Sequence, residues 1–163
     1  MIKLPTILLT ICSLLLFSNL SYADAGERKV RFSGNLLENI DKRPSVKELE
    51  QQFTLFTKKI YNPWEKESAT YSGILLDELV DKFAKENVNK IIFKAIDDYQ
   101  VEISMKTLKA YKILLVTKQN GHYLEVKDKG PMRIVFPDYD SAKKEYETNL
   151  PLWMWMINRI EFH

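Results

Sequence analysis

The stretch "LLVTKQNGHYLEVKDKGPMRIVFP", residues 114–137, decides the fold class because it alternates strand-forming runs with turn residues. Its first run begins at residue 111 as "YKILLVTK", which is apolar and has the length of a strand. Asn120-Gly121 then predicts a hairpin, since a type I′ turn needs positive φ at both central residues. "HYLEV" returns from that hairpin, "KDKGP" turns the chain again, and "MRIVFP" is the next strand. Successive strands joined by tight turns indicate an antiparallel sheet.

Strands are also predicted upstream of this stretch, where apolar residues alternate with polar ones or form short unbroken runs. Asp97 and Asp98 separate two of these strands and predict a tight connection between them. The predicted strands cover residues 30–34, "FTLFTKKI" at 53–60, "KIIFKAI" at 90–96 and "YQVEISM" at 99–105.

The segment "YSGILLDELVDKFAKEN", residues 71–87, predicts the main helix of the chain. Apolar and charged residues recur there at helical spacing. The helix is expected to begin at Ser72 or Gly73 and to end at Asn87. Its predicted apolar face consists of Ile74, Leu75, Leu79, Val80 and Phe83.

Two shorter segments complete the helix prediction. Ser45 and Glu48 match a capping box, in which each side chain accepts a hydrogen bond from the other residue's backbone amide. "SAKKEYE", residues 141–147, predicts a short polar helix. The last segment, "WMWMINRIEF" at 153–162, is predicted as a strand with four residues on one face: Trp153, Trp155, Ile157 and Arg159. Six or seven strands with two or three helices indicate an α+β domain with a mainly-β sandwich or barrel-like core.

The first 23 residues are predicted to be a secretory signal peptide. Lys3 gives a positive start and residues 4–17 are apolar. The small residues Ser21 and Ala23 suit a cleavage site, and Ala23-Asp24-Ala25 offers an alternative cut two residues later. An uncleaved N-terminal anchor is the alternative, although the apolar run is shorter than the ~20 residues of a membrane span. We therefore expect a single exported domain, residues 24–163, located in the periplasm and not inserted in the membrane after cleavage.

Charge and cysteine content exclude several classes of function. The 163 residues carry a formal net charge of only +2, with lysines and glutamates interspersed, so nucleic acid is not an expected partner. Cys12 is the one cysteine and lies in the apolar run of the signal. The predicted exported domain consequently has no thiol for a disulfide, a metal ligand or a nucleophile.

Catalytic motifs are missing, but aromatic residues stand close in sequence to carboxylates and an arginine. No Gly-rich phosphate loop or Ser-centred elbow occurs, and neither of the two histidines has a second histidine at metal-ligand spacing. Aromatic faces that stack on a ring and carboxylates that accept paired N–H donors are typical of sites for flat heteroaromatic ligands. The members of this set are Trp64, Tyr99, Tyr139, Trp153 and Trp155, with Asp98, Asp138, Asp140 and Arg133. Paired tryptophans in a strand also commonly pack a core, so composition alone leaves both readings open.

Four segments occur in the order found in the sulfite-oxidase-type molybdopterin-binding fold, which the chain resembles over about residues 64–162. That family has a Gly-x-Leu-Leu helix, an Asp-Tyr strand start, a Gly-Pro-x-Arg strand and a terminal strand containing tryptophan. The matching segments here are "YSGILLDELV", "AIDDYQVEI", "GPMRIVFP" and "WMWMINRIEF".

The resemblance departs from the molybdenum enzymes at one point that bears on mechanism. Those enzymes bind the metal through a cysteine thiolate before the Gly-x-Leu-Leu helix, where this chain reads "FTLFTKKIYNPW". The chain looks more like short, exported, cysteine-free relatives that bind a reduced pterin. Such proteins pair with a membrane-bound enzyme that has diguanylate cyclase and phosphodiesterase domains. The resemblance thus implies a ligand sensor in cyclic-di-GMP signalling that is not an enzyme and holds no molybdenum.

The resemblance also implies a set of ligand-binding residues. Trp64 and Trp155 match two family tryptophans and are expected to stack on the pterin, with Trp153 as a further candidate that is more suited to packing. Tyr99 would line the same pocket. The polar contacts would come from Asp98 or Asp140, which could accept N–H donors, and from Arg133, which could donate to the pterin.

Two other hypotheses compete with the pterin sensor. The first is a molybdopterin-dependent oxidoreductase-like protein that lacks the cysteine ligand. The second is an interaction module whose aromatic residues pack the core and whose ligand pocket is vestigial.

Overall fold

The structure, a computed structural model, describes residues 24–163. The predicted signal peptide, its alternative as an anchor and Cys12 lie outside the described residues. Within the described part, no helix is both long and apolar enough to cross a membrane. The strands of this part are β1 (Arg31–Gly34), β2 (Phe56–Asn62), β3 (Glu67–Leu75), β4 (Lys90–Ala95), β5 (Gln100–Ser104), β6 (Leu114–Gln119), β7 (His122–Tyr123), β8 (Arg133–Val135) and β9 (Ile157–Phe162). Its α-helices are α1 (Val46–Glu50), α2 (Leu76–Phe83), α3 (Met105–Ala110) and α4 (Lys144–Glu147).

The strands form two sheets, of which the four-stranded one is mixed and the five-stranded one is antiparallel. The four-stranded sheet has the order β1-β9-β4-β5, in which β1 and β9 are parallel and the other neighbours antiparallel. The five-stranded sheet has the order β2-β3-β6-β7, and β8 pairs with β6. Residues alternate between buried and partly exposed along β4, as expected for a strand with one face on a core. A single hydrophobic cluster draws side chains from both sheets.

The α+β class with a sheet-dominated core is confirmed. The capping box of α1 is also confirmed: the Glu48 amide donates to Ser45 Oγ at 3.2 Å, and the Ser45 amide donates to Glu48 Oε2 at 2.6 Å. The hairpin at Asn120 and Gly121 has the predicted positive φ at both residues, 51° and 83°. Asp97 and Asp98 form the predicted tight connection between β4 and β5.

The predicted start of the main helix is wrong by three to four residues. The chain continues as β3 through Leu75, and α2 begins at Leu76 and ends at Phe83, before Asn87. Gly73 is paired with β6 at a register shift, where a Cβ atom would lie 2.1 Å from the Leu115 carbonyl oxygen. Close backbone approach therefore requires this glycine. An apolar run in a buried strand is hard to distinguish from one on a helix.

The predicted strand over residues 153–162 is wrong in its first half. Leu150–Leu152 is a 3-10 helix, β9 begins only at Ile157, and Met156 has a φ of 58°. Trp153 and Trp155 consequently do not share the face of one strand. Strand β2 also begins later than predicted, at Phe56, and the sequence reading missed strand β3 and helix α3.

Candidate ligand-binding site

An aromatic pocket with a volume of about 440 Å³ lies where three connections meet. One is the turn between β2 and β3, the second is the turn between β4 and β5, and the third is the segment that leads into β9. The pocket is lined mainly by apolar and aromatic side chains. They are Trp64, Ala95, Asp97, Tyr99, Leu150, Pro151, Trp153, Met154, Trp155 and Met156.

Trp64 is held at the pocket by a side-chain-capped turn. Asn62 Oδ1 accepts hydrogen bonds from the backbone amides of Trp64, at 3.0 Å, and Glu65, at 3.4 Å. An asparagine that bonds the backbone two residues on fixes such a turn. Although its backbone is held, the Trp64 side chain is 52% exposed. An indole of this size that stays half exposed beside a cavity has a face available for a ligand.

Trp155 is positioned by the irregular segment before β9. The neighbouring Met156 amide donates to the Lys129 carbonyl at 3.0 Å, and the Met156 carbonyl accepts from the Ile96 amide at 2.9 Å. The Trp155 ring meets the Trp64 ring edge to face, with centroids 6.4 Å apart and an interplanar angle of 71°. The two rings thus form a corner of the pocket and not a parallel clamp.

Trp153 has a different environment from the other two tryptophans. It is 4% exposed and packs on Phe136, at 6.0 Å between ring centroids, and on Tyr139, at 5.7 Å. Its Nε1 is buried and has no hydrogen-bond partner within the described residues. Trp153 therefore belongs to the core and contributes one wall of the pocket.

A polar cleft of about 580 Å³ adjoins the aromatic pocket. The consecutive residues Trp64 and Glu65 contribute to the aromatic pocket and the cleft respectively. Lys129 Nζ, in the lining of the cleft, lies 5.2 Å from the centroid of the Trp155 ring. One Trp–Glu dipeptide and one lysine thus join an apolar compartment to a charged one.

Glu65 is the centre of the charged compartment, and sequence reasoning missed it. Its carboxylate accepts from Lys129 Nζ at 2.9 Å and from Arg133 Nη1 at 3.1 and 3.3 Å. It also accepts from Tyr71 Oη at 3.2 Å and from Asn62 Nδ2 at 2.9 Å. The only sequence signal was its place directly after Trp64. Lys129 and Arg133 lie 64 and 68 residues from Glu65 in the chain, so only the fold brings these two donors to the carboxylate.

The electrostatics of this cluster are those of a paired, largely buried carboxylate. Burial by itself would raise the pKa of Glu65, but the hydrogen bond from Lys129 and the positive charge of Arg133 outweigh it and lower the pKa. Burial raises the pKa of the neighbouring Tyr71 hydroxyl. Glu65 is therefore ionised and Tyr71 neutral near pH 7, and Tyr71 can donate to the carboxylate.

Arg133 lies in the polar cleft, as part of the Glu65 cluster, and not in the aromatic pocket. It is 4% exposed, and Nη2 donates to the Asp128 carbonyl at 2.7 Å. Its Nε is buried without a hydrogen-bond partner in the described part of the chain. The guanidinium group is thus fixed by Glu65 while one of its donors remains unsatisfied.

The two predicted carboxylates lie away from the pocket. Asp98 forms an ion pair with Arg159, and its side chain is 81% exposed. Asp140 Oδ1 accepts from the backbone amide of Ala142 at 3.0 Å in an exposed turn. Asp97 is the carboxylate that lines the pocket, because the turn between β4 and β5 directs the adjacent Asp98 elsewhere. Of the predicted set, the fold brings together Trp64, Tyr99, Trp153 and Trp155.

A solved structure shares this fold. The crystal structure of the sulfane dehydrogenase SoxCD from Paracoccus pantotrophus aligns with a TM-score of 0.60 at 13% identity. The alignment covers 86% of this chain and 39% of that chain. At this identity the likeness shows the fold alone. No curated protein matches the sequence.

The described residues do not supply the thiolate that would hold molybdenum in the manner implied by the resemblance. The only cysteine of the sequence, Cys12, is outside the described residues, and residues 24–163 contain no group of three or more His, Cys, Asp or Glu side chains able to hold a metal ion. Soft thiolate ligation of the metal in the family's manner is therefore not available here. The aromatic corner with its adjoining charged cleft does suit a flat ring that carries polar edges.

The match to a known family is in the sequence itself. The family model described as "Oxidoreductase molybdopterin binding domain" matches residues 27–156, which is most of the chain. The matched residues include the β2–β3 and β4–β5 turns and the three tryptophans that line the aromatic pocket. The chain belongs to the oxidoreductase molybdopterin-binding domain family.

Proposed function

We propose that this protein is a non-catalytic, periplasmic pterin-binding protein that relays its ligand status to a membrane-bound diguanylate cyclase/phosphodiesterase. The observation that carries the proposal is the aromatic pocket at Trp64 and Trp155, beside the Glu65 cluster. The expected ligand is a reduced pterin of the tetrahydropterin type, without molybdenum.

The pocket has the size and chemistry for a bicyclic ring. Its volume of about 440 Å³ lies within the usual range of ~300–1,000 Å³ for small-molecule sites. Stacking of a base-like ring on an aromatic side chain contributes about 1–3 kcal/mol. Because the two indoles meet at 71°, one ring would contact the pterin face and the other its edge.

Polar recognition would come from groups at the margin of the pocket. Asp97 is the carboxylate in its lining and can accept from the amino and ring N–H groups of a pterin. Lys129, beside Trp155, can donate to a carbonyl or to a side-chain hydroxyl of the ligand. In this proposal, Asp97 replaces Asp98 or Asp140 as the acceptor, and Lys129 replaces Arg133 as the donor.

The relay to a cyclic-di-GMP enzyme is proposed from the resemblance to the short pterin-binding relatives. In physical terms, the ligand changes the partner's activity only if loaded and empty protein bind its two states with different affinity. The exposed Trp64 and Tyr99, 52% and 56% accessible, lie at the pocket and can report its occupancy to a partner surface.

Replacing Trp64 with alanine is expected to weaken tetrahydropterin binding by roughly 5- to 150-fold, the equivalent of about 1–3 kcal/mol of lost stacking. The side chain is half exposed, so the melting temperature should change little. Isothermal titration under anaerobic conditions measures the affinity. Tyr61→Ala is the matched control, since Tyr61 is an aromatic residue of 44% exposure outside the pocket lining.

Two results would contradict the proposal. Wild-type protein that carries no pterin from the periplasm and shows no saturable binding of tetrahydropterins would exclude the ligand. Molybdenum at near-stoichiometric amounts in purified protein would favour the oxidoreductase alternative. The relay is tested separately, by the cyclic-di-GMP content of cells that co-express the partner enzyme with wild-type or Trp64→Ala protein. Equal content in both would exclude relay through this pocket.

A further inference from the structure

Four basic side chains surround a small concave pocket at the β1–β9 strand pair of the four-stranded sheet. The pocket has a volume of about 220 Å³, and within residues 24–163 no carboxylate takes part in its lining. It is separate from both the aromatic pocket and the polar cleft, with which it shares no lining residue. The lining residues are Lys29, Arg31, Arg43, Asn158 and Arg159.

The fold forces two of these arginines together. Arg31 on β1 and Arg159 on β9 are register partners in the parallel pair, so their side chains lie next to each other on one face. Like charges directly opposite each other destabilise a strand pair. We therefore expect a bound anion to offset the repulsion between Arg31 and Arg159.

The carboxylates nearby neutralise only half of the cluster. Lys29 Nζ pairs with Glu48 at 2.8 Å, and Arg159 pairs with Asp98. Neither Arg31 nor Arg43 has a carboxylate oxygen within 4.0 Å among residues 24–163. Two guanidinium groups therefore retain uncompensated charge at the same pocket.

One donor of the residues that line the pocket is also unsatisfied. Arg159 Nε is shielded from solvent and has no hydrogen-bond partner among the described residues. Buried polar atoms are normally satisfied, and an exception requires an explanation. Although Arg159 pairs with Asp98 through Nη2, its Nε donor remains without a partner among the described residues.

We propose that this pocket binds a compact oxyanion of the phosphate class, either free or as the headgroup of a lipid. Planar guanidinium groups bind phosphate oxygens through two parallel hydrogen bonds, and several can share one tetrahedral anion. The concave shape and small volume favour a compact anion over an extended acidic peptide, which would need a groove. The inference does not depend on the proposed pterin function.

The test is a titration of the protein with inorganic phosphate at low ionic strength, in which binding is measured by ³¹P NMR and calorimetry. Wild-type protein should bind phosphate saturably, and Arg31→Gln with Arg43→Gln should weaken binding at least tenfold. Arg31→Lys with Arg43→Lys keeps the charge but loses the paired donors of the planar guanidinium group, so an intermediate loss of phosphate affinity is expected. Lys106→Gln with Lys109→Gln is the control, because it removes the same charge from exposed positions of α3.

Circular dichroism melts confirm that each variant is folded before its binding is compared. A second arm measures co-sedimentation with phosphatidylglycerol vesicles against phosphatidylcholine vesicles. Free phosphate binding without sedimentation assigns a soluble anion, and sedimentation that phosphate competes away assigns a headgroup. Two results overturn the proposal: no saturable binding in either arm, or equal binding by the Arg31/Arg43 and Lys106/Lys109 double variants. Binding of an acidic peptide that phosphate does not displace would also overturn it.

Discussion

Replacing Arg133 with methionine is expected to lower the free energy of unfolding by about 3–5 kcal/mol, because it leaves a shielded carboxylate without one of its two cationic partners. The Arg133 side chain is 5% exposed and that of Glu65 16% exposed. Lys129, Tyr71 and Asn62 still donate to Glu65 in the variant, which favours the lower end of this range. The Asp128 carbonyl also loses its donor at 2.7 Å. Urea denaturation measures the change.

The surface pair Lys58–Asp138 is the matched control for this substitution. Its side chains are 43% and 49% exposed, so Lys58→Met should cost no more than about 1 kcal/mol. The double variant Glu65→Gln with Arg133→Met should recover part of the loss, since it removes the uncompensated charge as well. Equal effects of Arg133→Met and Lys58→Met would show that the Glu65 cluster is not a buried ion pair in solution.

The same cluster makes stability depend on pH in a defined direction. The pKa of Glu65 is lower in the folded protein than its ordinary value of 4.5. As the pH falls, the unfolded chain therefore binds a proton before the folded protein does. The stabilisation is complete above pH 4.5 and declines as the pH falls toward the folded pKa. Denaturation between pH 7 and pH 3 should show a steeper loss in wild-type protein than in Glu65→Gln.

Local sequence signals predicted the parts of the fold in which local chemistry decides the structure. Ser45 with Glu48 fixes the start of α1, and Asn120-Gly121 fixes a hairpin, because each depends on residues three positions apart or fewer. The predicted start of α2 was wrong because Gly73 is held in strand β3 by its pairing with Val116 of β6, a residue distant in sequence. Backbone pairing across the sheet overrode an apolar pattern that was compatible with a helix.

The residues of the candidate site also divide into those that local sequence signals predict and those that only the fold brings together. The aromatic residues Trp64, Tyr99 and Trp155 could be named because large rings near strand ends are conspicuous in a sequence. The carboxylate that lines the pocket could not be predicted from the sequence. Asp98 has a φ of 67° and pairs with Arg159, which leaves Asp97 at the pocket. Glu65 was missed because its four donors come from three separate parts of the chain.

The Trp64–Glu65 dipeptide also makes the site physically coupled. Asn62 Oδ1 holds the amides of both residues, while Asn62 Nδ2 donates to the Glu65 carboxylate. A ligand that moves the Trp64 ring therefore acts on the same turn that carries the buried charge. Because rearranging a buried, hydrogen-bonded ion pair is costly, the turn is expected to hold its position and the indole to move. This favours a site whose outer aromatic wall responds to ligand while its charged base stays fixed.

Replacing Trp153 with alanine is expected to lower the free energy of unfolding by about 3–5 kcal/mol, the usual cost of removing a large buried aromatic side chain. Trp153 is 4% exposed and lies against Phe136 and Tyr139, so the surrounding rings cannot close the cavity completely. Trp153→Phe keeps most of this packing and also removes Nε1, which has no partner within the described residues. It should therefore cost much less stability than the alanine variant.

The two variants also separate packing from ligand contact at the wall of the pocket. If Trp153 serves mainly as core, Trp153→Phe should bind tetrahydropterin within about threefold of wild type, whereas Trp64→Ala should lose the affinity expected for a stacking ring. Thermal melting of both proteins checks that the comparison is made between folded molecules. A Trp153→Phe protein that melts like wild type but binds no pterin would show that Nε1 donates to the ligand. The buried donor at the pocket wall would then be a recognition group, and Trp153 would join Trp64 and Trp155 in the site.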